Sequence, residues 1–223
     1  MSFCPTPHQA MVHSWFLRLN SISANMEWWG AVEGETDEFL MRRLASEFGI
    51  RFKVIYPAKG KDNLLKKLPG YNRSAHDRPW FVLIDLDRSF ACAPEALKKW
   101  LPERSEMMIF KIAVRSIESW LMADRENFAK FFRVPLKSIP ESPDDLENPK
   151  KRIIQLMEKS SSSIIRNDMI PTRGSGRKVG KLYSTQIQRF LMPGDTYWQL
   201  EKAMLHSESL SKCITNIRRF IGK

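Results

Sequence analysis

Four acids stand where a chain could build a cation site. Glu33 precedes Gly34 in "GAVEGETDEFL", Asp85 and Asp87 close "VLIDLD", and Glu118 follows "VRSI". Magnesium is a hard cation that takes oxygen ligands, commonly one or two carboxylates with water and phosphate oxygens, so such acids suit phosphodiester chemistry. Acids two apart on a strand leave from the same face; Asp85 and Asp87 can then reach one ion while Leu86 turns into the packing. Two acids ending an apolar strand also repel each other unless a cation, or Arg88, lies between them. Glu35, Asp37 and Glu38 read first as helix-start acids that complement the helix dipole. Glu35 and Asp37 are nevertheless additional candidates for the site. So is Asp124, although six residues along a helix put it on a different face from Glu118.

The elements that must position these acids alternate. "EWWGAV" reads as a buried strand, "TDEFLMRRLASEF" as a helix with Thr36 as N-cap, and "RFKVIYPA" as a second strand. "KDNLLKKL" reads as a short helix, "GYNRSAHDRP" as a polar loop, and "WFVLIDLD" as a third strand apolar enough to be covered on both faces. "APEALKKWL" is a helix, "MMIFKIAV" a fourth strand, and "SIESWLMADRENFAKFF" one long helix. The alternation predicts an α/β fold with a mostly parallel four-stranded sheet, whose functional groups collect at the carboxyl ends of the strands. Those ends carry Glu33, Asp85, Asp87 and the Arg115–Glu118 stretch.

Beyond residue 133 the strand signal fades into helices and loops. The expected organisation is an N-terminal extension over 1–25, an α/β domain over 27–132, and a basic helical region over 133–223 packed on it. Met26 directly precedes the first strong pattern and is a candidate start. The 223 residues carry a net charge of +11, which favours a polyanionic partner, nucleic acid before an anionic membrane surface. Three separated cysteines, Cys4, Cys92 and Cys213, support neither a disulfide framework nor a zinc knuckle, and His8, His13, His76 and His206 show no ligand spacing. No membrane-spanning run or signal peptide is legible, so a cytoplasmic location is expected.

"GSGRKVGK" fails as a phosphate-binding loop, because Ser175 stands where the first glycine belongs and Leu182 follows the lysine. Its Arg173, Arg177, Lys178 and Lys181 are better suited to clamping a nucleic-acid backbone, with Arg115 assisting. Tyr183 reads either as a helix-core residue or as a ring that stacks on a base.

"VEGETDEFL" followed about fifty residues later by "VLIDLDRS" resembles the TOPRIM domain of topoisomerases, primases and small nucleases. There Glu-Gly follows the first strand and Asp-x-Asp the third. The resemblance covers about residues 27 to 130. It implies Glu33 as general acid or base beside a metal, and Asp85 and Asp87 as magnesium ligands. "IAVRSIESWLMAD", "NPKKRIIQLM" and "MIPTRGSGRKVGKLYSTQIQRFL" are similar to later segments of small TOPRIM proteins of the overcoming-lysogenization-defect and unknown-function types. In that group an acid opening the helix after the fourth strand joins the metal site, which maps onto Glu118. Several such proteins lie beside ATPase genes in prokaryotic anti-phage loci; the N-terminal extension departs from their pattern.

The expected function is a magnesium- or manganese-dependent endonuclease acting on DNA or RNA, transfer RNA included. A toxic defence effector held by a partner ATPase is implied by the resemblance, and a homodimer is a further expectation. Two alternatives stay open: a nucleic-acid-binding module whose acids are structural, and a regulatory or scaffold subunit that docks an acidic protein on its basic face.

Overall fold

The computed structural model describes residues 26–222 apart from 87 and 89. The N-terminal extension over 1–25 and the candidate ligand Asp87 lie outside the described residues. Strands β1 (Glu27–Val32), β2 (Arg51–Pro57), β3 (Trp80–Asp85) and β4 (Met108–Ala113) form one sheet in the order β2-β1-β3-β4. Every pairing in it is parallel. The helices are α1 (Glu35–Glu47), α2 (Lys61–Ser74), α3 (Ala93–Trp100), α4 (Ile117–Ala123), α5 (Arg125–Phe132), α6 (Pro149–Glu158), α7 (Ser163–Met169), α8 (Tyr183–Phe190), α9 (Leu200–Met204) and α10 (Glu208–Ile221).

β3 shows why the sheet is internal. Its first five residues are buried, and they alternate between two apolar layers. Phe81 and Leu83 enter a core that also holds Leu40, Met41 and Leu44 of α1 and Ile214 and Ile217 of α10. Trp80, Val82 and Ile84 enter a smaller core with Leu64 and Leu68 of α2. The first core runs from Trp28 to Ile221, so the C-terminal helices share it with the sheet. None of the described helices is long and apolar enough to cross a membrane.

Three local expectations change. The N-cap of α1 is Gly34, and Asp37 reaches back to accept the Gly34 N–H at 3.0 Å, so Thr36 lies inside the helix. Helix α2 runs through Pro69 and Gly70 to Ser74, where a polar loop was expected. Tertiary bonds hold that extension: Asn72 accepts the Ser105 N–H at 2.9 Å and donates to the Glu103 carbonyl at 2.8 Å. Tyr71 also stacks on Trp80 with centroids 4.6 Å apart. Finally, the long helix over 116–132 is two helices broken at Asp124, whose side chain caps the second.

Candidate active site

The carboxyl edge of the sheet is fixed first by backbone. Ala58 donates to the Val32 carbonyl at 2.8 Å, Gly60 to the Glu33 carbonyl at 2.9 Å, and Leu86 to the Ala113 carbonyl at 2.9 Å. Lys61, the first residue of α2, donates from Nζ to the carbonyls of Asp85 and Leu86 at 2.6 and 3.1 Å. Glu33 then crosses to the next strand and accepts the Asp85 N–H at 2.8 Å. Asp85 in turn accepts the Ile117 N–H at 3.0 Å, which ties its carboxylate to the start of α4. Glu33, Asp85 and the Ser116–Glu118 turn are thereby chained together.

Glu118 is 1% exposed and faces inward. It accepts from the Ser116 hydroxyl at 2.6 Å and the Tyr183 hydroxyl at 3.3 Å, and Lys150 Nζ lies 3.1 Å away. A buried carboxylate with three donors around it is held in one orientation. Asp37 belongs to the same charge cluster. Burial, then Glu118 and Glu33, push its carboxyl up to about 7, against a smaller pull from Lys150. Glu118 is the main cause that raises the half-exposed Lys150 ammonium, with Asp85 and Asp37 adding to it. Burial, then the Glu118 charge, hold the Tyr183 phenol well above its ordinary range, so it stays protonated at neutral pH and donates.

The edge therefore brings together Glu33, Asp85, Glu118 and Asp37. The helix-start reading of Asp37 is half of its role, since the same carboxylate caps α1 and faces Glu118. Glu38 pairs with Arg42 at 2.7 Å on the helix surface, and Glu35 is exposed on the first turn. Asp124 stands apart from the cluster. Its oxygens accept from Asn127 N, Asn127 Nδ2 and Gln199 N, bonds that hold the fold. Arg88 turns outward to Glu147 at 3.3 Å rather than toward Asp85. Arg115 donates to the Phe90 carbonyl at 2.9 Å and anchors the segment that follows β3.

Sequence reasoning missed Lys150 and the contact of Tyr183 with Glu118. Both come from the C-terminal third, more than thirty residues from any strand-end motif, and no spacing rule announces such a meeting. Tyr183 is also where the basic loop ends. Gly180 donates to the Met169 carbonyl at 2.8 Å, and a Cβ there would lie 2.2 Å from the Asp168 carbonyl oxygen. Only glycine fits, and it sets the chain that aims Tyr183. Arg173, Arg177, Lys178 and Lys181 are all exposed on this loop, which turns at Gly174 and Gly176 with φ of +81° and +67°.

The donor set fits a hard cation in its chemistry: the acids offer oxygen ligands only, and burial, then repulsion from Glu118 and Glu33, raises the Asp37 carboxyl. It is not a closed cage. Among the described residues no group of three or more His, Cys, Asp or Glu side chains is placed to hold a metal ion. Glu118 is engaged by Ser116, Tyr183 and Lys150, and Asp87, the fourth acid expected at the ion, lies outside the described residues. Gly34 adds a further feature. Its backbone is extended, and a Cβ would meet nothing nearer than Asp37 Oδ2 at 3.5 Å. Neither conformation nor packing demands glycine there.

Comparison of the chain with protein-family models, with curated proteins and with solved structures returned no match.

Proposed function

We propose that the chain is a magnesium- or manganese-dependent nuclease of TOPRIM type that hydrolyses phosphodiester bonds of DNA or RNA. The observation that carries this reading is the chain of bonds from Glu33 through Asp85 to the Ser116–Glu118 turn, at the carboxyl edge of a parallel sheet. Ligand sites of open α/β sheets occupy that edge. Glu33 and Asp85 would hold the ion, and Asp87 is the further acid proposed as a ligand. The ion, when bound, supplies charge that polarises a phosphoryl oxygen.

The rest of the work falls to the chain itself. Asp37, whose carboxyl titrates near neutrality, is the group suited to move a proton at working pH. Glu118, itself bonded by Tyr183, holds Lys150, whose ammonium would offset charge developing on phosphate oxygens. The exposed cations of the loop over 173–181 hold the backbone of the strand. A partner ATPase that restrains the nuclease until phage infection belongs to the same proposal and rests on the resemblance.

A second reading, binding without cleavage, draws on the Lys150–Glu118 contact, which gives the cluster an internal counter-ion. One assay separates the two: plasmid and transfer RNA incubated with magnesium, manganese or chelator. Cleavage that needs the ion and drops at least about a hundredfold in Glu33→Gln and Asp85→Asn supports the nuclease, since both variants keep their hydrogen-bond acceptors and lose only charge. Undiminished cleavage by both variants refutes the site. Steeply salt-dependent binding with no product under any ion favours the second reading.

A further inference from the structure

The sheet face covered by α2 carries a group of rings and cations that the carboxylate site does not use. Tyr56, Tyr71 and Trp80 lie with their planes 15° to 24° apart. Trp80 is buried and forms the floor, Tyr71 lies on it at 4.6 Å, and Tyr56, 5.9 Å from Trp80, is 42% exposed. Trp29 pairs with Trp80 across β1 and β3. Lys53 Nζ lies 5.5 Å from the Trp29 ring centre, and the Arg78 guanidinium 4.8 Å. The negative face of an indole attracts such cations and restrains them. Lys53 also pairs with Glu27 at 3.2 Å, but both side chains are more than half exposed, so that pair is weak and easily exchanged.

We infer that this face binds single-stranded nucleic acid, with a base stacked on Tyr56 and neighbouring phosphates on Lys53 and Arg78. Stacking on an exposed ring needs an unpaired base, because the bases of a duplex already cover one another. The chemistry also selects against the obvious rival occupant. A second copy would bring one chain of net charge +11 against another at a patch that is itself cationic, whereas a polyanion is attracted. The placement matches a route to the acids: Tyr56 is in register with Ala31, two residues before Glu33, so the ring lies roughly 7 Å along the strands from the carboxyl edge. Binding at this face needs no cleavage; only the delivery of the strand to Glu33 and Asp85 rests on the reading above.

The test is anisotropy of a labelled oligothymidylate on the full chain in chelator, set beside a duplex of equal length and heparin, a polyanion without bases. Tyr56→Ala should weaken oligothymidylate about tenfold and leave heparin unchanged, while the Lys53→Ala/Arg78→Ala double variant weakens both. The single strand should bind more tightly than the duplex. Equal affinity of Tyr56→Ala and the parent protein, equal affinity for single strand and duplex, or a change of oligomeric state in Tyr56→Ala each overturns the inference. The double variant alters side chains on the surface and keeps the test open if Tyr56→Ala folds poorly. Tyr56-dependent binding without cleavage of any substrate would sink the nuclease reading alone, and cleavage indifferent to Tyr56 would sink only the delivery of the strand from this face to Glu33 and Asp85.

Discussion

Glu118 and Asp124 are both acids 1% exposed, six positions apart, and their surroundings are opposite. Asp124 is surrounded by neutral donors, the N–H groups of Asn127 and Gln199 and the Asn127 amide, and it closes a helix break. Glu118 sits among other carboxylates with a lysine and a phenol turned toward it. A buried acid satisfied by uncharged N–H groups holds the fold, because those groups have no alternative partner. A buried acid set among like charges is a cost to the fold, and such costs collect at sites that handle charge.

Stability measurements can break this contrast. Asp124→Ala strands two buried donors and one part-buried donor and should cost roughly 3 kcal/mol in urea unfolding, whereas Glu118→Gln relieves repulsion and should cost under about 1 kcal/mol. Equal losses would erase the distinction.

The next effect is set by pH. The carboxyl of Asp37 is raised in the fold from 3.8 to about 7, so the folded chain binds the proton more tightly than the unfolded one. Its contribution to stability is therefore largest below pH 3.8 and declines as pH rises to about 7. Asp37→Asn can still accept the Gly34 N–H, and at pH 8 it should be more stable than the parent by roughly 2 kcal/mol, with no difference near pH 3. A flat difference across that range would show that Asp37 does not carry the cluster's strain.

The smallest effect sharpens the role of the counter-ion. Lys150→Met should cost about 1 kcal/mol in the parent chain and clearly less in a Glu118→Gln background, because Glu118 is its main partner, with Asp85 and Asp37 adding less. Additive losses would assign Lys150 to packing.

Much of this architecture was legible in the residues. Alternating apolar runs located all four strands, and with them the sheet edge at which Glu33 and Asp85 stand, since strand ends are set by local pattern. The helix through Pro69 was not legible, because Asn72 and Tyr71 are held by Ser105, Glu103 and Trp80, which are distant in sequence. The break at Asp124 was hidden for a similar reason, as Gln199 supplies one of its donors from 75 residues away.

The sequence by itself determined that Glu33, Asp85 and Glu118 follow strands and that positive charge lies downstream of them. Tertiary structure alone decided that Asp37 shares a charge cluster with Glu118, that Lys150 and Tyr183 meet that carboxylate, and that Asp124 is bonded to Asn127 and Gln199. Local propensity acts over a few residues, and a shared electrostatic cluster requires that helices far apart in the chain be packed on one core first.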